Sequence, residues 1–281
     1  MLTVLEIIKK TTDFLGSKGV ENPRLNSELL VGHALGLKRM QLYIAFERPL
    51  SEPELEKIRP LVRRRAQREP LQYIVGEVEW GGLKLKADRR ALIPRPETEY
   101  LIELVTASGL PAPARILDLG TGSGAIALGL AKAYPESRVV AVDRSEDALA
   151  LARENAAATG LTERVEFRQS NWFSAISAEE SFDLIAANPP YLSSSETAET
   201  APEVRSFEPV GALVAEGEGT SDLREIVRSS PSHLRPGGML AMETGIHQHA
   251  VLLAACAEAG FARSESKQDL TNRDRYILAW K

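Results

Sequence analysis

The sequence predicts an α/β protein. A parallel, doubly wound sheet is expected over residues 94–281, behind an all-helical front domain over 1–75, with a linking β-hairpin over 76–93. Three observations predict it. From residue 114 short apolar runs alternate with helical patterns, the arrangement that builds parallel sheets covered by helices. The run Arg115–Leu119 empties into Gly120-Thr121-Gly122-Ser123-Gly124, a glycine turn between strand and helix that lets a ligand approach the backbone. The run 182–187 ends in Asn188-Pro189-Pro190-Tyr191, where two consecutive prolines forbid further ladder bonding, so the strand must stop. Ligands bind at that carboxyl edge of open α/β sheets.

Composition sets the outer bounds. Of 281 residues, 43 % are apolar and 26 % charged, ordinary for a globular chain able to bury a core unaided. Cys256 stands alone, so no intramolecular disulfide is possible, and no Cys/His spacing suggests a metal. It lies in an apolar helical run and reads as core packing. No basic segment precedes an apolar stretch at the amino terminus, and no run approaches about 20 apolar residues. A cytoplasmic location is expected. The net charge of −5 divides into +4 over residues 1–75 and −9 beyond. A basic front on an acidic body hints at a nucleic-acid-associated partner.

In the front domain, Thr3 and Glu6 form a capping-box pattern ahead of Leu5, Ile8 and Leu15, and Gly16 and Gly19 close that helix. Asn22-Pro23 reads as an N-cap followed by proline at the first helical position, with Leu25, Leu29 and Leu30 as the apolar face. His33 is expected to be a packed helix residue. Ser51 and Glu54 repeat the capping box ahead of Leu55, Ile58, Leu61 and Val62. That helix also carries Arg59, Arg63, Arg64, Arg65 and Arg68, either a solvated face or a contact surface for RNA or a partner protein. Glu77–Trp80, Gly81-Gly82 and Leu83–Lys86 read as the hairpin.

Pro94 and Pro96 delay the next helix to about Glu97–Ala107. Strands follow at 115–119, 138–143, 165–168 and 182–187, with Ser145 capping a helix that Gly160 closes. A long polar loop over roughly 192–218, rich in Ser, Glu and Thr, is expected to be able to move over the site. A helix at 222–229, a strand at 239–243 after Pro236-Gly-Gly, a helix at 247–259 and strands at 261–263 and 276–280 complete the sheet. No helix separates the last two strands, so the final one is expected to be antiparallel.

The chemistry follows from what stands at the strand ends. Asp143 ends the strand after the glycine turn, where a carboxylate accepts hydrogen bonds from ribose hydroxyls. That suits NAD or S-adenosylmethionine alike. Two details favour the methyl donor. Ala125-Ile-Ala follows the turn, so the full phosphate fingerprint is absent. Ser170-Asn171-Trp172 ends the third strand, where Trp172 can lie on an adenine face beside a polar neighbour. At Asn188 the side-chain oxygen can accept one N–H of a planar NH2 group, and the Pro189 carbonyl the other. Holding both hydrogens fixes the nitrogen plane and favours positive charge growing on nitrogen. Tyr191 can stack on the flat group.

These residues carry a resemblance that covers nearly the whole chain. It rests on Gln72-Tyr-Ile-Val-Gly76, Leu92-Ile-Pro-Arg-Pro-Glu-Thr-Glu99, Asp118–Gly124, Ala141-Val-Asp143, Asn188–Tyr191, Glu208-Pro209 and Asp269-Leu-Thr-Asn-Arg-Asp274. The chain resembles the peptide chain release factor N(5)-glutamine methyltransferases (PrmC, also called HemK). The resemblance implies a seven-stranded Rossmann-like domain that uses S-adenosylmethionine and leaves S-adenosylhomocysteine. It implies methylation of the glutamine amide in the Gly-Gly-Gln motif of class I release factors. Gly120, Thr121, Gly122, Ser123, Gly124, Asp143, Trp172 and Asn188 would contact the donor. Asn188, Pro189, Pro190 and Tyr191 would hold the glutamine, with Asn188 and Pro189 catalytic, and the front domain would dock the release factor. No membrane and no stable nucleic-acid partner is expected.

Two positions depart from the family pattern. Asn171 stands where an acidic residue is common, and Glu218-Gly-Thr-Ser-Asp222 replaces an Asp-Gly-Leu run. The competing readings are a glutamine methyltransferase for a ribosomal protein, a DNA adenine methyltransferase, a nicotinamide oxidoreductase and a binding module without activity.

Overall fold

In the computed structural model, which describes all residues from Met1 to Lys281, a capping box opens the first helix. Thr3 Oγ1 accepts from the Glu6 amide and the Glu6 carboxylate accepts from the Thr3 amide, ahead of α1 (Val4–Ser17). Next come α2 (Pro23–Leu35), α3 (Arg39–Ile44), α4 (Glu52–Ala66) and α5 (Leu71–Val75). Pro23 takes the first position of α2, but Asn22 sits at φ 48° and its side chain makes no cap bond. It holds the expected N-cap position, in a left-handed conformation and through its carbonyl, which accepts from the Asn26 amide, rather than through its side chain. Ser51 is tied to Glu54 through both its amide and its hydroxyl.

Val4, Ile8, Val31, Leu42, Leu50 and Ile58 form one helical core, and Leu15, Val20, Leu30 and Ile74 a second. The buried stripe of α2 runs through Leu30 and Val31, so Leu25 and Leu29, expected inside, are exposed. His33, expected to pack, is exposed too.

The arginines of α4 are largely consumed within this unit. Arg59 pairs with Glu52 and Arg64 with Glu69. Arg65 is buried and donates to Asn26 Oδ1 at 2.7 Å and to Glu203 at 2.8 Å, and Arg68 grips both Glu203 oxygens at 2.7 Å. Glu203 belongs to the short helical segment Ala201–Phe207, which groups with Met1–Gly76 rather than with its sequence neighbours.

The second unit comprises Glu77–Thr200 and Glu208–Lys281. It opens with a hairpin, β1 (Glu77–Trp80) and β2 (Leu83–Lys86), in the register Trp80↔Leu83. Gly81 and Gly82, at φ 57° and 64°, supply the doubly left-handed turn that a two-residue hairpin needs. The chain continues through α6 (Pro96–Ala107), β3 (Arg115–Leu119), α7 (Ala125–Ala133), β4 (Arg138–Asp143), α8 (Glu146–Thr159), β5 (Val165–Gln169) and β6 (Phe182–Ala187). The segment 192–218, read from sequence as a loop, holds α9 (Ser194–Glu199), α10 (Pro202–Phe207) and a single turn, α11 (Glu216–Gly219). A bridge between Leu192 and Val214 joins its ends. Then come α12 (Ser221–His233), β7 (Leu234–Glu243), α13 (His249–Glu258), β8 (Arg263–Gln268) and β9 (Asp274–Trp280).

The sheet order is β5-β4-β3-β6-β7-β9-β8, parallel except for β9, which runs antiparallel to both neighbours as expected. Successive side chains feed opposite faces. Ile116, Leu184 and Ala186 join the core under α7, while Leu117, Leu119, Ile185 and Ala187 join the one under α12 and α13. Cys256 is fully buried in the latter.

Two strand readings need correction. Pairing of β7 with β6 spans the Pro236-Gly-Gly segment, moving from Phe182↔Leu234 to Leu184↔Met239, so that segment is a bulge within a longer strand. The strand expected at 261–263 lies at 263–268 instead. Its sequence, Arg-Ser-Glu-Ser-Lys-Gln, is a polar edge with no hydrophobic period, which suits an edge strand and hides it from pattern reading. Chain order runs outward from β3 to β5, then returns to β6 on the other flank of β3. The switch point therefore falls between the carboxyl ends of β3 and β6, where Gly120 and Asn188 stand.

Candidate active site

At the end of β3 the amides of Gly120 and Thr121 both donate to the Val142 carbonyl of β4, at 2.9 Å each, which folds the chain sharply across its neighbour. Gly120 and Gly122 take φ of 71° and 54°, left-handed values that cost little only for glycine. A Cβ on Gly120 would stand 3.3 Å from the Trp172 indole. The third glycine serves packing, since a Cβ on Gly124 would stand 3.2 Å from Ala152 of α8.

Asp118 staples the turn from beneath. Its Oδ2 accepts from the Thr121 hydroxyl at 2.6 Å and from the Ala127 amide at 3.1 Å, while its buried Oδ1 has no protein partner. Burial pushes this carboxyl up to about 7, and the nearby Asp143 charge adds to the rise against the two hydrogen bonds. Asp143 accepts from the Gly122 amide on one oxygen and from the Ser145 amide on the other, both at 2.9 Å. Both oxygens keep lone pairs for further donors.

Above this turn lies a cavity of about 320 Å³. Gly120, Thr121, Gly122, Ser123, Asp143, Trp172, Asn188 and Pro190 line it, together with Asn171, Thr98, Pro94, Arg95, Pro209 and Gly211. Thus the structure brings the glycine turn, the acidic strand end, the indole and the Asn-Pro-Pro segment to one place. Gly124, Pro189 and Tyr191 are outside the lining. Pro189 is buried. Tyr191 turns its hydroxyl inward to Glu243, so its ring belongs to the wall's support rather than to the cavity surface.

Asn188 is the first residue past β6. Its Nδ2 donates to Thr98 Oγ1 at 2.9 Å, in the first turn of α6. Thr98 donates onward to Glu243 Oε2 at 2.7 Å, and the Tyr191 hydroxyl reaches Glu243 Oε1 at 3.1 Å. Glu243, the last residue of β7, is 2 % exposed. Burial pushes its carboxyl up, while Thr98, Arg275 and Tyr191 pull it back. Burial, and then the Glu243 charge, push the Tyr191 phenol up. Arg275 of β9 lies 5.8 Å from the Tyr191 ring centroid and donates to the Thr244 carbonyl at 3.2 Å.

Sequence reasoning named Asn188 and Tyr191 but missed Thr98, Glu243 and Arg275. The available signals were Glu243, an acidic residue closing the apolar run 239–242, and the place of Thr98 within the Leu92–Glu99 segment that carries the resemblance. Two further supports emerge. Buried Glu208 accepts from the Ile93 amide and from Arg95, pinning the Pro94–Pro96 segment at the cavity rim. Trp172 is held at φ 48° while its indole N–H donates to Asp222 at 3.2 Å, which gives the divergent Glu218–Asp222 run a structural duty.

Residues 112–277 match the model of a methyltransferase domain, and residues 6–76 match the PrmC N-terminal domain. Crystal structures sharing the fold include a methyltransferase from Pyrococcus furiosus (TM-score 0.54, 20 % identity, 71 % of this chain and 89 % of that one). Another is the T. thermophilus 16S rRNA N2 G1207 methyltransferase in complex with AdoMet and guanosine (TM-score 0.54, 20 % identity, 73 % and 49 %). At such identities the likeness speaks for the fold. Fold and matched domain together define a Rossmann-like methyltransferase. Among curated relatives, the release factor glutamine methyltransferase of Chlorobaculum tepidum is 44 % identical over 97 % of this chain and 95 % of its own. That of Geobacter sulfurreducens is 41 % identical over 98 % and 95 %. The chain belongs to the family of release factor glutamine methyltransferases.

Proposed function

We propose that this protein transfers a methyl group from S-adenosylmethionine to the side-chain amide nitrogen of the Gly-Gly-Gln glutamine in class I release factors. The observation that carries this reading is the convergence, in one cavity, of a donor-type floor and a planar-amide acceptor. Gly120–Ser123, Asp143 and Trp172 line the cavity together with Asn188.

The residues fit the donor. A Cβ on Gly120 would crowd the Trp172 indole at 3.3 Å, and without one the backbone of the turn is bare toward a ligand. Asp143 keeps acceptor capacity for ribose hydroxyls, and the indole offers a flat apolar face for the base. When bound, the donor supplies an electrophilic methyl carbon on a sulfonium, whose sulfur departs with the bonding electron pair.

Asn188 and its neighbour prepare the nucleophile. An amide nitrogen is poorly nucleophilic because its lone pair is delocalised. Asn188 Oδ1 and the Pro189 carbonyl accept its two N–H groups, fix its plane and stabilise the charge that grows on nitrogen. Neither acceptor is basic enough to keep a proton, so the proton lost from nitrogen passes to solvent. Alignment of this kind is worth roughly 7–11 kcal/mol of barrier. The front helical unit selects the release factor, and no stable nucleic-acid or membrane partner is involved.

The test is mass spectrometry of a release factor after incubation with the protein and S-adenosylmethionine. A mass gain of one CH2 on the Gly-Gly-Gln glutamine is expected. An unmodified release factor, with methyl incorporated into DNA or a ribosomal protein instead, would overturn the reading.

A further inference from the structure

We propose that Thr98 and Glu243 are positioning residues that decide which end of the Asn188 amide faces the substrate. This inference deepens the reading above and rests on it. The two ends of an asparagine amide are nearly the same size, so shape does not choose between them. Hydrogen-bond partners do. If Nδ2 faced the cavity, two donors would confront the N–H groups of the glutamine, and the site would repel the group it must hold.

The polarity is set from below, one proton at a time. Glu243 is buried at the end of β7, and as a carboxylate it only accepts. It takes the Thr98 hydroxyl proton at 2.7 Å and the Tyr191 hydroxyl proton at 3.1 Å. Thr98 has one proton to give, and once given to Glu243 it offers Asn188 nothing but lone pairs. Asn188 must then supply the hydrogen, as the 2.9 Å contact from Nδ2 shows. Oδ1 is left for the cavity, where both Asn188 and Thr98 form part of the lining.

The chain Glu243–Thr98–Asn188 thus converts a buried negative charge into the orientation of an acceptor that touches substrate. It draws its members from β7, α6 and the end of β6, elements that only the fold brings together. Burial pushes the Glu243 carboxyl up, and the Thr98 and Tyr191 hydroxyls with Arg275 act against that rise. The geometry itself, a hydroxyl aimed at each carboxyl oxygen, is that of an acceptor.

The test compares Thr98→Val, which keeps the shape and deletes the hydroxyl, with Thr98→Ser, which keeps the hydroxyl. Glu243→Gln is added because its amide can donate to Thr98 and reverse the chain. Turnover and KM are measured on a release factor, donor affinity by calorimetry and folding by thermal melting. Thr98→Val and Glu243→Gln are expected to lower kcat about 10- to 100-fold, the usual cost of losing an outer partner that orients an active group. Thr98→Ser should stay within a few-fold of wild type, and donor affinity should be unchanged in all three. The double variant should be no worse than either single one, because both break the same chain.

Wild-type turnover in Thr98→Val overturns the proposal. Equal damage in Thr98→Ser and Thr98→Val overturns it too, by showing that the methyl packing matters and not the hydroxyl. A loss confined to donor affinity likewise overturns it. If Glu243→Gln melts early, the Thr98 pair decides alone. Failure of the wild-type protein to methylate any release factor sinks the functional reading and this inference together, whereas normal Thr98→Val turnover sinks only the inference.

Discussion

On the function proposed above, Asn188 does most of the chemistry. Asn188→Ala removes one acceptor for the glutamine amide and is expected to lower kcat by about 10²–10³, the range for deleting one preorganised partner at a developing charge. Donor affinity, measured by calorimetry, should fall far less, because the glycine turn, Asp143 and Trp172 remain. Asp143→Ala should show the opposite split, with weakened donor binding from lost ribose contacts. Asp118 makes a different prediction. Burial raises its carboxyl from 3.8 to about 7 in the folded chain. Between those values the native state holds a proton that the unfolded chain has released, so stability falls as pH rises from about 4 to about 7. Relative to Asp118→Asn, which does not titrate, the wild-type protein should lose up to about 4 kcal/mol across that window. Denaturant unfolding of both proteins at several pH values checks it, and parallel curves would refute it.

The supporting elements show why some residues could be read in the sequence and others could not. The glycine turn and Asn188–Tyr191 declare themselves because glycine and proline constrain the backbone wherever they stand. Ser145 and Gly160, the cap and stop of α8, are legible for the same reason. Thr98 in α6 and Glu243 in β7 carry no such mark, since a threonine and a glutamate gain meaning only from what they touch. The 263–268 strand was hidden because an edge strand need not bury a face. Glu208 joins α6's entry to the segment after α10, a link no local pattern reveals. Replacing Glu208 by alanine strands the Ile93 amide and Arg95, at a cost on the order of 1–3 kcal/mol. Thermal melting should record that loss, together with weaker donor binding, because Pro94 and Arg95 line the cavity. A Glu208→Ala protein with unchanged melting and donor affinity would count against a rim pinned in this way.

The chain as a whole is divided in a way that sequence order conceals. Residues 201–207 lie within the long insertion after β6, yet they group with the front helices, where Glu203 meets buried Arg65 and Arg68. The arginine-rich helix is therefore in good part an internal scaffold rather than a free cationic face. Glu203→Ala leaves Arg65 buried beside only Asn26 and the Glu69 carbonyl, and should destabilise the helical unit by on the order of 3 kcal/mol. Limited proteolysis around residues 200–208 and the melting temperature would report it. Unchanged protease resistance would mean that the pairing contributes nothing.

By itself, the sequence determined the class of fold and the strand ends at which the candidate site stands. Periodicity, glycine and proline act locally, and a local cause can be read from a line of residues. The tertiary structure alone decided how the site is made precise. Asn188 is oriented through Thr98 and Glu243, Trp172 is anchored by Asp222, and the rim at Arg95 is pinned by Glu208. Each of these joins residues far apart in the chain. A polar side chain shows its role only once burial has removed water as an alternative partner.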